Sequence, residues 1–290
     1  MSELAIKAHA KINLYLTVTG KRPNGYHDVV TVMQSVSLAD TLWVERVDRE
    51  GVFLDTGGIL PADDSNLICK AARAYFAKSQ SPFGVSVKLE KKIPMQAGMG
   101  GGSADAAAML KALNALDGER FTEAELCELG AGIGADVPFC VAGGTRLCRG
   151  IGEVMEPIEN RLDGTLVVAI GNEGVSTPQA FGALDEKYEN FKQPRPVIPD
   201  ALLDAMAKGS VQAATPHFYN MFEEVILPVR PAVGEIKATM LAHGADATMM
   251  SGSGPSVWGI FATKEAAAAA RAALLAAGHR AYLCKMMNEI

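Results

Sequence analysis

Residues 94–110, Pro-Met-Gln-Ala-Gly-Met-Gly-Gly-Gly-Ser-Ala-Asp-Ala-Ala-Ala-Met-Leu, limit what this chain can fold into more than any other stretch. Gly98, Gly100, Gly101 and Gly102 fall within five residues, followed by Ser103 and an alanine-rich run. Upstream, Val85, Val87 and Leu89 alternate with polar residues, the period of a strand. Downstream, Ala106, Met109, Leu110 and Leu113 recur at helical spacing, and Asp117-Gly118 supplies a stop. The glycines therefore lie between a strand and the first turn of a helix. That turn has free backbone N–H groups and the positive end of the helix dipole, and glycine lets the main chain approach an anion closely. Phosphate is the ligand such a turn fits best; a flexible connector is the plainer alternative. The run is not a Walker A loop, because no Lys-Ser or Lys-Thr follows. It is not the dinucleotide fingerprint either, because Ser103 holds the third glycine position.

The partner of such a turn is bounded by composition. The net charge of −6 argues against a nucleic-acid polymer, which usually requires a basic face. A small anion would be held by local cations and N–H groups. A chain of 290 residues, 49% hydrophobic and 21% charged, can bury a large core and is comfortable as two domains. No apolar run reaches membrane-spanning length, and the N-terminus does not resemble a signal peptide. The five cysteines form no C-x-x-C pair and read as reduced thiols in a cytoplasm. The five histidines form no zinc pattern.

From Leu4 to Val18 the chain alternates. Ile12, Leu14, Leu16 and Val18 share one face and Lys11, Asn13, Tyr15 and Thr17 the other, where they are either solvated or line a cleft. A loop of turn residues, Thr19 to His27, ends with Tyr26 beside His27. It reads as a hairpin connection, or as a loop that stacks a planar ring on Tyr26 and hydrogen-bonds it through His27. Strand-like runs follow at Val29–Leu38, Thr41–Val47 and Val52–Asp55, then a helix over Asn66–Lys78. Beyond the glycine loop helix, Thr122-x-x-Glu125 is a capping box. Asp136 sits between an apolar flank and Pro138, where a carboxylate is solvated, paired or used; a lone Asp there is commonly a cap or turn former.

The second half begins with a strand at Leu166–Ile170 and a loop, Gly174–Pro178, before Phe181. A Pro-rich connector at 190–199 comes next, then helices at Pro199–Lys208 and Pro231–His243. Strands at Ala247–Met250 and Val257–Phe261 flank the turn Ser251-Gly-Ser-Gly-Pro-Ser256. A helix capped by Thr263 and a strand at Ala281–Met286 close the chain. This succession is the ferredoxin-like order.

Three motifs stand in sequence: Ala10-Lys11-Ile12-Asn13-Leu14, the glycine loop, and Ser251–Ser256. Together they resemble the GHMP superfamily of small-molecule kinases, named for galactokinase, homoserine kinase, mevalonate kinase and phosphomevalonate kinase. Gly25-Tyr26-His27 and Gly134-Ala135-Asp136-Val137-Pro138 narrow the resemblance to the branch acting on a cytidine diphosphate ester of methylerythritol. Kinases of the homoserine or mevalonate type remain the alternative. The resemblance implies an α+β fold of two domains, an N-terminal α/β domain like ribosomal protein S5 (1–155) and a C-terminal ferredoxin-like domain (156–290), with the site in the cleft between them. It implies ATP and Mg2+ as cofactors, with the magnesium ligands and oligomeric state left open. Asp136 and Lys11 match the catalytic pair, and Pro94, Gly98, Met99, Gly100, Gly101, Gly102 and Ser103 match the phosphate cradle. By the same resemblance Asn66 would lie near the adenosine, Tyr26, His27 and Phe181 would hold the cytosine, and Asn13 and Thr177 would contact the substrate. The sequence departs from the pattern at Met99, where Leu is usual, and at Ala104, where a second Ser is common.

Overall fold

The computed structural model describes residues 3–81, 83–171, 173–191 and 199–290. In chain order the first half forms β1 (Leu4–Lys21), β2 (His27–Val47), β3 (Val52–Asp55), α1 (Leu67–Ser79), β4 (Gly84–Glu90), α2 (Gly101–Leu116), α3 (Glu123–Ala131), α4 (Val137–Ala142), β5 (Thr145–Arg149) and β6 (Val154–Pro157). The second half forms β7 (Thr165–Ile170), α5 (Thr177–Lys187), α6 (Asp200–Ala207), α7 (Val211–Ala214), β8 (Tyr219–Asn220), α8 (Glu223–Ile226), α9 (Pro231–Ala242), β9 (Ala247–Met250), β10 (Val257–Phe261), α10 (Lys264–Ala276), β11 (Arg280–Cys284) and β12 (Met286–Met287).

A sheet running β3-β4-β2-β1-β8, with β5 and β12 also paired to β2 and β6 paired to β5, carries the first half. Helix α2 packs on β1 and β2 with α1 beside it. Its alanines (Ala104, Ala106, Ala107, Ala108, Ala112) are buried, and their small side chains let the helix lie close to the strands. The second sheet runs β11-β7-β10-β9 with every pair antiparallel. The strand–helices–strand–strand–helix–strand order of this half is thus realised as a ferredoxin-like sheet. The halves interlock, because β8 and β12 from the second half join the first sheet.

Local chemistry accounts for the element ends. Asn66 caps α1, Thr122 and Glu125 form the capping box of α3, and Thr263 caps α10. Other expectations are corrected. Val29–Leu38 and Thr41–Val47 are one continuous strand, β2; Asp40, in the gap between them, is buried and paired from elsewhere in the chain. Thr177 and Pro178 open α5 rather than ending a loop. The closing strand splits at Cys284, and Met286–Met287 crosses to the first sheet. Helices α4, α7 and α8 and strands β5, β6 and β8 carry no signal strong enough to be anticipated. Of the Pro-rich connector, 192–198 lie outside the described residues.

The polar face of β1 is the fold's main departure from ordinary alternation. Lys11, Asn13 and Thr17 are buried, as are Ile12, Leu14 and Val18 on the opposite face. The β1–β2 register shifts between His9 and Lys11 and again between Asn13 and Tyr15. Such bulges re-aim side chains beside functional sites, and here they bracket Lys11 and Asn13.

Candidate active site

A cavity of about 620 Å³ opens between the two sheets, with the glycine loop as one wall. Gly98 and Gly100 have φ of +72° and +67°, a left-handed conformation that a side chain would strain. Gly100 is the N-terminal cap of α2 and offers no side chain to its N–H groups. The first turn of α2 therefore presents its donors to the cavity, whose wall includes Gly100, Gly101, Gly102 and Ser103.

Lys11 approaches this turn from β1. Its backbone N–H bonds Met99 O at 3.0 Å, and a Cβ on Gly100 would lie 3.1 Å from Lys11 Cγ. Lys11 Nζ is 2.9 Å from Asn13 Oδ1 and 3.4 Å from Asp136 Oδ2. Asp136 holds the cap position of α4 without using its side chain as a cap, so its carboxylate stays available at 34% exposure. A lysine 6% exposed thus faces a wetter carboxylate at the mouth of an anion-holding turn.

The Ser251–Ser256 turn buttresses the loop from the other half. Ser251 Oγ donates to Gly98 O at 3.1 Å and accepts from Asn13 N at 3.2 Å, and Ser256 N donates to Ala97 O. Trp258 Nε1 donates to Asn13 O at 2.9 Å. Gly98 has no room for a Cβ, which would sit 2.3 Å from Ser251 O. The turn also supplies Ser253, whose Oγ is 2.9 Å from Thr177 Oγ1.

One charged residue on the wall has no local sequence signal. Lys91 follows β4 and reaches under the loop, where it bonds Asp40 and, at 2.7 Å, Asp105. Asp40 also accepts the N–H groups of Lys92 and Ile93. Burial, opposed by Lys91 and reinforced by Asp40, pushes the Asp105 carboxyl up to about 7. Its Oδ1 is buried with no hydrogen-bond partner among the described residues, which suits a neutral acid better than a carboxylate. These partners are 51 and 14 residues away in sequence, so only the fold reveals them. The thiols nearby are inert: burial pushes Cys140 up, and Cys148 to about 12.

At the far end, His27 stacks on Phe181 with ring centroids 4.5 Å apart and 19° between planes, and Phe222 meets Phe181 edge-on. His27 Nε2 lies 2.7 Å from Asp185 Oδ1, and Lys21 Nζ lies 2.5 Å from Asp185 Oδ2.

The cavity brings together Lys11, Asn13, Pro94, Gly98, Met99, Gly100, Gly101, Gly102, Ser103, Asp136, Thr177 and Phe181. It does not reach three of the expected residues. His27 is stacked on Phe181, which does line the cavity, and Tyr26 is 57% exposed. Asn66 spends its side chain on α1, accepting from Ile68 N and donating to Pro61 O; its neighbour Leu67 lines the wall instead. Lys91 and Asp185 are the functional candidates that local sequence reasoning misses.

Comparison with known proteins accords with this geometry. Residues 66–144 match the family described as GHMP kinases N terminal domain, and 201–280 match GHMP kinases C terminal. The fold and site define a GHMP kinase, an ATP-dependent small-molecule kinase. The 4-diphosphocytidyl-2-C-methyl-D-erythritol kinase of Caldicellulosiruptor saccharolyticus is 38% identical over 262 residues, 90% of this chain and 89% of that protein. A crystal structure of 4-(cytidine 5'-diphospho)-2C-methyl-D-erythritol kinase superposes with a TM-score of 0.83 at 35% identity, covering 99% of this chain and all of that one. The chain belongs to the family of 4-diphosphocytidyl-2-C-methyl-D-erythritol kinases. Homoserine kinase from Cytophaga hutchinsonii, with a TM-score of 0.75 at 20% identity over 98% of this chain and 96% of that one, shares the fold alone.

Proposed function

We propose that this chain transfers the γ-phosphoryl group of ATP to the 2-hydroxyl of 4-diphosphocytidyl-2-C-methyl-D-erythritol, in the non-mevalonate route to isoprenoid precursors. The observation that carries the reading is the 3.4 Å approach of Lys11 Nζ to Asp136 Oδ2 beside the open first turn of α2. Phosphoryl transfer asks a protein mainly for positioning and charge stabilisation, and these groups supply both.

The N–H groups of Gly101, Gly102 and Ser103, with the dipole of α2, hold the phosphates. Asp136 accepts the proton of the attacking hydroxyl, a role worth roughly 10²–10⁴-fold in rate. Lys11 sits where negative charge builds on the transferred group and stabilises it there. Asn13 keeps the ammonium in place through its Oδ1, and Nδ2 of the same side chain donates to Thr31 at 2.8 Å. Asp136 is the acidic residue on the described cavity wall, and Ala104 stands where a second hydroxyl would be. That wall fits a magnesium ion held chiefly by the nucleotide's own phosphate oxygens, with Asp136 as the protein oxygen at hand. When bound, the ion offsets phosphate charge.

At the other end the cytosine would stack on Phe181. Phe181 lines the cavity and carries His27 stacked on it at a centroid spacing of 4.5 Å, with the exposed Tyr26 next to His27 in sequence, which supports an aromatic seat for the base at this end. Among the described residues no helix is long and apolar enough to cross a membrane. The five free thiols support work in the cytoplasm.

The test is ADP release with ATP and a panel comprising the cytidine diphosphate ester, homoserine and mevalonate. Turnover confined to the ester is expected; turnover of homoserine or mevalonate at comparable kcat/KM would defeat the reading.

A further inference from the structure

A second cavity, of about 200 Å³, shares no lining residue with the reaction cavity. Three basic side chains line it, Lys7 and His9 from β1 and Lys111 from α2, together with the buried Ala104, Ala108 and Cys140. Its volume falls below the range of about 300–1,000 Å³ that drug-sized ligands need, so it suits a compact ion rather than a nucleotide. Lys7 Nζ donates to the Thr41 hydroxyl at 2.8 Å, which uses one of its protons. Lys111 has no hydrogen bond or ion pair among the described residues. The carboxylate that acts on it, Glu123 of α3, pairs with Arg146 at 3.7 Å, and Asp40 of β2 is committed to Lys91. Cys140 of α4 stays a thiol, because burial pushes its pKa up. The wall thus gathers positive charge with no carboxylate side chain among its described residues.

The histidine adds a direction. Burial lowers the His9 pKa against the bond to Val36, and Lys111 and Lys7 lower it further; burial lowers Lys111 as well. The imidazole is therefore neutral at ordinary pH, and an anion among the three groups would relieve every one of these shifts. His9 Nδ1 lies 3.1 Å from Val36 O. A carbonyl only accepts, so Nδ1 carries the proton of the neutral ring and Nε2 is a lone-pair acceptor, without a partner among the described residues.

We propose that this cavity is a binding site for inorganic phosphate, in which Lys7 and Lys111 take charged oxygens and the remaining O–H of the ion donates to His9 Nε2. At about pH 8 phosphate is a dianion that keeps one O–H. Sulfate has the same charge and shape but no O–H, so it would set an oxygen lone pair against Nε2. Such a polar mismatch discriminates between ions that shape and charge cannot separate. The site borders three elements that carry the reacting groups: β1 with Lys11, α2 with the phosphate turn, and α4 with Asp136 at its cap. An ion held there bears on all three without entering the reaction cavity.

The test is calorimetric titration of phosphate and of sulfate into the full chain saturated with a non-hydrolysable ATP analogue and Mg2+, so that the phosphate turn is already filled. At about pH 8 the wild type should take up one phosphate and bind sulfate at least about tenfold more weakly. Lys111→Met, which keeps the alkyl stem, and Lys7→Met should each weaken phosphate at least about tenfold through loss of a charge-assisted hydrogen bond. In His9→Asn the amide nitrogen can keep the bond to Val36 O while nothing replaces Nε2, so phosphate should weaken to the level of sulfate. At about pH 5.5 a proton taken up by His9 turns Nε2 into a donor, and sulfate binding to the wild type should tighten. Failure of the loaded wild type to take up phosphate overturns the proposal, as does uptake that Lys111→Met and Lys7→Met both leave unchanged. Equal affinity for the two ions at about pH 8 overturns it too, and leaves an adventitious ion only.

Discussion

Two lysines flank the glycine loop, both buried and each paired with carboxylate, and the exposure of those carboxylates differs. Lys11 meets Asp136 at 3.4 Å on a wall where the carboxylate is one-third exposed. Lys91 is wedged between Asp40 and Asp105, both almost wholly removed from water. In the first pair the carboxylate keeps enough hydration, beside an open cavity, to exchange its partner for a hydroxyl. In the second, Asp40 is also spent on the N–H groups of Lys92 and Ile93, and loss of either Lys91 or Asp40 strands a charge in a low dielectric. The same residue types thus serve reaction on one side of the loop and rigidity on the other, and access of water decides which.

The contrast is testable from its strongest consequence downward. Asp136→Asn should lower kcat by about 10²–10⁴-fold while leaving the affinity for an ATP analogue and the urea midpoint near wild type. A variant that unfolds instead would make the two clusters alike. Asp40→Ala should do the reverse, costing about 3–5 kcal/mol in chemical denaturation because Lys91 and two backbone donors lose their partner. A loss below about 1 kcal/mol would place that cluster in the class of surface pairs. Gly100→Ala should have an intermediate effect, a roughly tenfold loss of kcat/KM. Its Cβ would press on Lys11 Cγ and Cε at 3.1 and 3.4 Å in a backbone conformation already unfavourable for alanine. An unchanged rate would show that the position of Lys11 is not critical.

The smallest effect is one of pH. With Asp105 raised to about 7 in the folded chain and an ordinary carboxyl when unfolded, the native state binds the extra proton between those values. Its contribution is full below the unfolded pKa and is lost as pH rises through about 7. Stability followed from pH 5 to 8 should therefore decline from this source, and Asp105→Asn should flatten the decline. A steeper decline in the variant would reverse the assigned protonation.

What could be read in advance follows the range of the forces involved. The glycine loop, the capping box at Thr122 and the ferredoxin-like order rest on neighbours within a few residues, so they are written in local pattern. The gap between the expected strands Val29–Leu38 and Thr41–Val47 contains Asp40, whose partner Lys91 lies 51 residues on, beyond any local pattern. Asp185 is one of two adjacent acidic residues near the end of α5 until folding brings it to His27, 158 residues away. Asn66 shows a second role the resemblance does not imply: its side chain caps α1, and its neighbour Leu67 lines the cavity. The polar face of β1 was ambiguous for a related reason, since only the bulges and the second sheet decide whether it meets water.

The seating of Ser251 against Gly98 bears on how this protein can be divided or recombined. A fragment ending at Pro157 would contain every cradle residue together with Lys11 and Asp136, yet its phosphate turn would lack the far-side support of the serine turn. Chimaeras that exchange carboxy-terminal halves between relatives should therefore succeed or fail on whether the incoming turn matches the resident glycine. Sequence divergence elsewhere in the swapped half should matter less.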